Sequence, residues 1–251
     1  MKRCFSSRKT ECKGGCKYCF GKWNNYIKFI NQEFDQNNII IYPNCDGDFF
    51  DEYFAEEVKK LWEISTKNII VSISSKFSIE DRHLNILQEL NEKLRSSGRG
   101  FLKLSMSFSC SDSIEDIEPN TATFAERVET AKRIIAKGIP YLTVIKPILP
   151  FISIDEYKQI IDNTVVISPY YVLGDLYVNE ESSFYKEYIE GKFTINYRDV
   201  SWNNGNGIWE VIESIDLKRQ IREYISESGG VALDSDMEAV ELLFESFDEN
   251  G

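Results

Sequence analysis

From residue 38 onward the chain alternates short β-branched runs with longer stretches in which apolar residues recur every three or four positions. NIIIYP (38–43), NIIVSIS (68–74), FLKLSMSF (101–108), PYLTVIKPILP (140–150) and TVVISPYYV (164–172) read as strands, with KRCFSS (2–7) as a short first strand. Helices are predicted around 23–34, carrying Tyr26, Ile27, Ile30 and Phe34, and over 51–65, where Phe54, Val58, Leu61 and Trp62 share a face. Leu84, Leu87, Leu90 and Leu94 mark the next helix. Another starts at Thr123, with Glu126 completing a capping box and Gly138 as its stop, and a short one follows at 154–161. Six β/α units joined by right-handed crossovers predict an α/β fold, a partial (β/α)6 TIM-like barrel over residues 1–172. Residues 173–251 are predicted to form a C-terminal helical extension packed on the barrel. It would hold one helix over 208–227 and a closing helix capped by Asp234 or Ser235.

Composition narrows the possible settings. With 251 residues, 42% of them hydrophobic and 28% charged, the chain is large enough for a sizeable core and lacks the bias of disordered or fibrous proteins. A net charge of -12 disfavours nucleic acid as a partner unless a local basic patch overrides it, and Arg3, Lys13, Lys17 and Lys22 form one candidate patch. No run approaches the roughly 20 apolar residues of a membrane span, and no apolar signal core opens the chain. A cytoplasmic location is therefore expected.

In a reducing compartment the six cysteines read better as a metal site than as a disulfide framework, because four fall within the first 19 residues. Cys12, Cys16 and Cys19 form a C-x3-C-x2-C arrangement that can grip three corners of an iron-sulfur cube, with Gly14 and Gly15 allowing the tight turn. The fourth iron would stay open, as in reactive metal centres. The competing reading is a non-enzymatic zinc or iron-sulfur interaction module closed by Cys4. A loop directly after the first strand of a β/α series favours the reactive reading, since such folds bind and react at the carboxyl ends of their strands.

The motif, with Tyr18 before its last cysteine, resembles the signature of the radical S-adenosylmethionine (SAM) enzymes. That resemblance implies a [4Fe-4S] cluster on Cys12, Cys16 and Cys19, SAM chelated at the open iron, and a 5'-deoxyadenosyl radical that abstracts hydrogen from substrate. Cys45-Asp46-Gly47-Asp48, Ser75-Lys76-Phe77, Ser105 in LSMSF, Glu118-Pro119, and the stretch from Glu126 to Pro150 are similar to segments of the spore photoproduct lyase-like branch. The widespread Gly-Gly-Glu segment is replaced here by one glycine and two aspartates.

The resemblance assigns roles residue by residue. Tyr18 would pack on adenine, Asp48 or Asp46 would accept from the SAM ammonium, Lys76 and Arg127 would neutralise the methionine carboxylate, and Ser105 would lie near the cofactor. Cys45 would donate a hydrogen atom to a substrate radical. Each has an ordinary competitor: packing for Tyr18, turn formation for the aspartates, solvated charge for Lys76 and Arg127, a strand hydroxyl for Ser105, and a small buried hydrophobe for Cys45. Tyr170, Tyr171 and Trp202 would either line a substrate cleft or seal the sixth strand. The single histidine, His83, lies on a predicted helix away from the strand ends, so histidine acid/base chemistry is poorly supported. A reducing electron-donor protein is expected as partner, and a small molecule, nucleotide or peptide as substrate.

Overall fold

A computed structural model describes residues 2–6, 12–23, 39–65, 68–96, 98–200 and 207–248. The helix expected around 23–34 lies, past Trp23, outside them, as does Trp202. Seven strands form one parallel sheet in the order β1 (Lys2–Phe5), β2 (Ile39–Tyr42), β3 (Ile70–Ser75), β4 (Phe101–Phe108), β5 (Tyr141–Ile145), β6 (Tyr170–Leu173) and β10 (Val231–Leu233). Helices α1 (Phe54–Ile64), α2 (Asp81–Ser96), α4 (Phe124–Ala136) and α5 (Ile154–Thr164) connect successive strands, and α3 (Ile114–Ile117) is a single turn after β4. This is the partial barrel that the sequence pattern predicts, with an additional strand.

Every residue of β4 is buried, as expected for a central strand covered on both faces. Leu102, Leu104 and Met106 pack on the helix side with Leu84, Leu87 and Leu90 of α2. By the two-residue strand period, Phe101, Lys103, Ser105 and Ser107 face the barrel interior. Thr123 and Glu126 exchange both hydrogen bonds of the capping box at the start of α4, and Gly138 takes φ +66° just past its end. Glycine adopts that angle at no steric cost, having no Cβ.

The C-terminal stretch contains more strand than the sequence pattern predicts. Residues 208–227 do not form one helix: Ile208–Ile212 is strand β9, and only Ile215–Glu227 is helix, here α6. Trp209 and Val211 are buried while Ile208 is 75% exposed, which is a strand's alternation. β9 is flanked by β7 (Leu176–Tyr177) and β8 (Asn196–Asp199) in an antiparallel three-stranded sheet. Val231–Leu233, ahead of the closing helix α7 (Asp236–Asp248), becomes β10 by pairing in parallel with Tyr170–Val172 of β6. Ser235 accepts the backbone N–H of Glu238 at 3.2 Å, and so caps α7.

Helix α7 closes the amino-terminal end of the barrel interior. Ala239, Val240 and Leu243 pack against Ile40, Ile70, Phe101, Leu142, Val144 and Val172 from the inner faces of five strands. One layer above, the Asp236 carboxylate accepts from Ser72 Oγ at 3.0 Å and from Tyr42, and it pairs with the fully buried ammonium of Lys103. Burial pushes the Asp236 pKa up, but Lys103 and these hydrogen bonds outweigh it and hold the pKa below the ordinary aspartate value. The interior is therefore sealed at one end, first by apolar packing and then by a satisfied polar layer.

Candidate active site

The cysteine loop lies at the opposite, carboxyl end of the strands. Lys17 N donates to Ile117 O at 3.0 Å and Asn120 N to Gly14 O at 3.3 Å, tying the loop to the segment after β4. Cys12, Cys16 and Cys19 are all free thiols, and Cys16 feels the charges of both other cysteines. Backbone N–H groups support two of them: Gly14 N lies 3.4 Å from Cys12 Sγ, and the amides of Gly21 and Lys22 face Cys19. The loop is tightly packed at its glycines. A Cβ at Gly14 would stand 3.3 Å from Thr121, and one at Gly21 would stand 3.1 Å from Asp46 O and 3.4 Å from Cys19 Sγ.

These features fit a cluster. Each thiolate of a cubane binds its own iron, so the sulfurs surround the cube without converging on one point. Among the described residues, no group of three or more His, Cys, Asp or Glu side chains is gathered as a metal-ion site. Cys4 is 3% exposed and belongs to the core on the helix side of the sheet, with Ile41. Burial pushes the Cys16 thiol up to about 12 despite the opposing charge of Lys76. A cation beside the loop thus favours the thiolate form that a cluster needs.

Behind the cysteines lies a buried network centred on Glu118. Lys76 Nζ reaches Glu118 Oε1 at 2.9 Å, Ser107 Oγ at 3.1 Å and Ser109 Oγ at 3.2 Å, which uses all three of its donors. Arg127 donates to Glu118 Oε2 at 2.5 Å, to Ala122 O at 2.9 Å and to Ser107 O at 2.8 Å, and its side chain is fully buried. The Tyr18 hydroxyl donates to Glu118 Oε1 and lies 2.9 Å from Ser109 Oγ, with Lys76 Nζ 5.7 Å from the centre of its ring. Burial raises the Glu118 pKa, yet the charges of Lys76 and Arg127 prevail and hold the carboxyl at about 2. Two cations against one carboxylate leave the network with one surplus positive charge.

Asp48 organises the neighbouring turn. Its carboxylate accepts from Ser75 Oγ at 2.8 and 2.9 Å, from Lys76 N at 3.0 Å and from Phe50 N at 3.1 Å, so it fixes the backbone from which Lys76 extends. Burial nevertheless raises its pKa. Asp46 is buried and lies backbone-on-backbone against Gly21. Ser105 Oγ is buried without a hydrogen-bond partner among the described residues, an orphan hydroxyl on the inner face. Cys45 donates its S–H to Tyr42 O at 3.0 Å, and burial raises its pKa above that of an ordinary thiol.

The structure thus brings Tyr18, Lys76 and Arg127 together around Glu118, beside the three cysteines, and ties Asp48 to the base of Lys76. Cys45 packs in a second group, with the aromatic side chains of Tyr177, Trp209, Phe20 and Trp23. Sequence reasoning placed Glu118 only within a Glu-Pro segment and gave it no role, although Glu118 is where these side chains meet. Tyr171 is fully buried, its hydroxyl 2.9 Å from Thr164 Oγ1, and Tyr170 packs toward α7, so both seal the sixth strand. His83 lies on α2 against Phe54, with ring centres 4.1 Å apart. Of the proposed basic patch, Lys13 pairs with Glu52 at 3.0 Å and Lys17 with Asp116 at 2.6 Å. No helix among the described residues is long and apolar enough to cross a membrane.

The chain has the fold of a partial TIM-like barrel with a cysteine-bearing loop at the carboxyl ends of its strands. That fold is shared with spore photoproduct lyase. A structure of the lyase with bound AdoMet and dinucleoside spore photoproduct matches with TM-score 0.64 at 14% identity, covering 90% of this chain and 75% of that one. A second lyase structure, complexed with dinucleoside spore photoproduct, matches with TM-score 0.63 at 14% identity over 91% and 78% of the two chains. A single-substitution variant of the lyase gives TM-score 0.64 at 15% identity over 92% and 79%. No family model and no curated protein matches the sequence.

Proposed function

We propose that this chain is a radical SAM enzyme that removes hydrogen from a carbon of its substrate. The observation that carries this reading is the meeting, at the carboxyl ends of the strands, of three free thiols on one glycine-lined loop with the cationic Lys76–Glu118–Arg127 network. In this reading Cys12, Cys16 and Cys19 hold a [4Fe-4S] cluster. When bound and reduced, that cluster supplies the electron that splits SAM into methionine and a 5'-deoxyadenosyl radical.

The chain's own groups then have separable tasks. The surplus charge of Lys76 and Arg127 attracts the methionine carboxylate, while Glu118 keeps the two cations from repelling each other apart. Asp48 and Ser75 set the direction of Lys76. Tyr18, pinned between two cluster cysteines and Glu118, couples the loop to the network. Ser105 offers an unspent hydroxyl on the inner face. Cys45 is kept protonated by burial, the form from which a hydrogen atom can be withdrawn, and so it serves as donor to a substrate radical.

A small molecule, nucleotide or peptide suits the acidic chain better than nucleic acid, and a reducing protein supplies electrons. Anaerobic reconstitution with iron and sulfide tests the proposal. The expected product is brown, with a cluster spectrum that SAM perturbs. A colourless zinc protein indifferent to SAM would defeat the proposal in favour of an interaction module.

A further inference from the structure

We propose that Lys146 receives an anionic group of the substrate, a carboxylate or a phosphate, at the open end of the barrel interior. The inference deepens the radical SAM reading and rests on it for the identity of the reacting centre. Lys146 follows β5, where Leu142 and Val144 face the interior, so the strand period aims its side chain inward as well. It is exposed, although its neighbours on either side are buried. Burial nonetheless lowers its pKa.

Its charge has no local counterpart. Its Nζ has neither hydrogen bond nor ion pair among the described residues, and the two acids whose fields it feels, Asp236 and Asp175, are already committed. Asp236 is taken by Lys103, and Asp175 by Arg198 at 2.9 Å and Lys218 at 3.2 Å. The chain also keeps space for the lysine stem. A Cβ on Gly174 would come within 2.5 Å of Lys146 Cγ and 2.6 Å of Cδ. Gly174 N donates to Ile145 O at 3.0 Å and its own carbonyl accepts from Ile148 N at 2.8 Å, which locks this bare backbone beside the lysine.

The position is that of a substrate-binding group. Ser107 Oγ donates to Lys146 O at 3.1 Å and accepts from Lys76 Nζ at the same distance, so the lysine backbone adjoins the network behind the cysteines. Lys146 also lowers the pKa of Cys45, which places the two side chains within electrostatic reach. A substrate anion held on Lys146 would lie beside the network behind the cysteines. One ammonium offers a point charge and rotatable donors, with no preference for a planar bidentate partner.

Amine labelling of the reconstituted holoprotein with trinitrobenzenesulfonate, read by peptide mass analysis, tests the assignment. Inorganic phosphate or acetate should slow labelling of Lys146, by about tenfold once the anion reaches about ten times its dissociation constant. Chloride at equal ionic strength and saturating SAM should leave labelling unchanged. The thermal shift given by phosphate should also disappear in Lys146→Met. Equal protection by chloride, protection by SAM, or an undiminished thermal shift in the variant would each overturn the proposal. The cluster spectrum with and without SAM, recorded on the same sample, separates the two claims. A SAM response without anion protection sinks only the Lys146 site, whereas anion protection without a SAM response keeps the site and sinks the radical reading.

Discussion

Two carboxylates at opposite ends of the barrel interior, Asp236 and Glu118, have opposite surroundings. Asp236, at the closed end, is held by the fully buried Lys103 and two hydroxyls, one layer above the apolar face of α7. Glu118, at the open end, is shared between Lys76 and Arg127, and Lys76 is 16% exposed toward the cysteine loop. Both pKa values are depressed by cations, yet one centre balances one charge with one and the other leaves a cation in excess. The difference teaches that the same device, a carboxylate anchored inside a parallel sheet, completes the fold at one end and prepares an anion-attracting surface at the other.

Several changes would break or sharpen this contrast. The largest effect is expected from Cys16→Ala, which should abolish cluster incorporation and SAM cleavage together, as read by iron content and product analysis. Glu118→Gln should destabilise the protein by about 3–5 kcal/mol in denaturant titration, because two buried cations lose their counter-charge. Asp236→Asn strands only Lys103 and should cost about 3 kcal/mol. Gly174→Ala drives a methyl into the Lys146 stem and should cost about 1–3 kcal/mol, with weaker phosphate protection of that lysine.

Acid titration joins the two ends. Because both folded-state pKa values lie below their unfolded ones, the stabilisation from Glu118 and Asp236 is present above the unfolded carboxylate range, near pKa 4. It is lost as pH falls toward the Glu118 value of about 2. Thermal melts between neutral and acid pH should show this loss, and Glu118→Gln should flatten part of it. A melting temperature that climbs with acid would contradict the sign.

Much of the barrel was legible because its signals are local. The leucine stripe of α2 and the Thr123–Glu126 box each lie within one element, and the structure keeps both. The strand over Ile208–Ile212 was hidden because it runs almost directly into α6, and the helical spacing beyond it masked the alternation of Trp209 and Val211. β10 is three residues long and owes its form to pairing with β6. The site divides the same way. The cysteine spacing is visible in eight residues, whereas the role of Glu118 depends on Tyr18, one hundred positions away, and on Lys76 from a different strand end. Lys146 reads as an ordinary lysine before a proline until the inner face of β5 and the bare backbone at Gly174 are known.

Formation of 5'-deoxyadenosine from SAM by the anaerobically reconstituted, fully loaded protein tests the central claim most directly. The account predicts product that appears only with reductant and is absent when any one of Cys12, Cys16 and Cys19 is replaced. Intact SAM in the presence of a reduced, fully occupied cluster would contradict it.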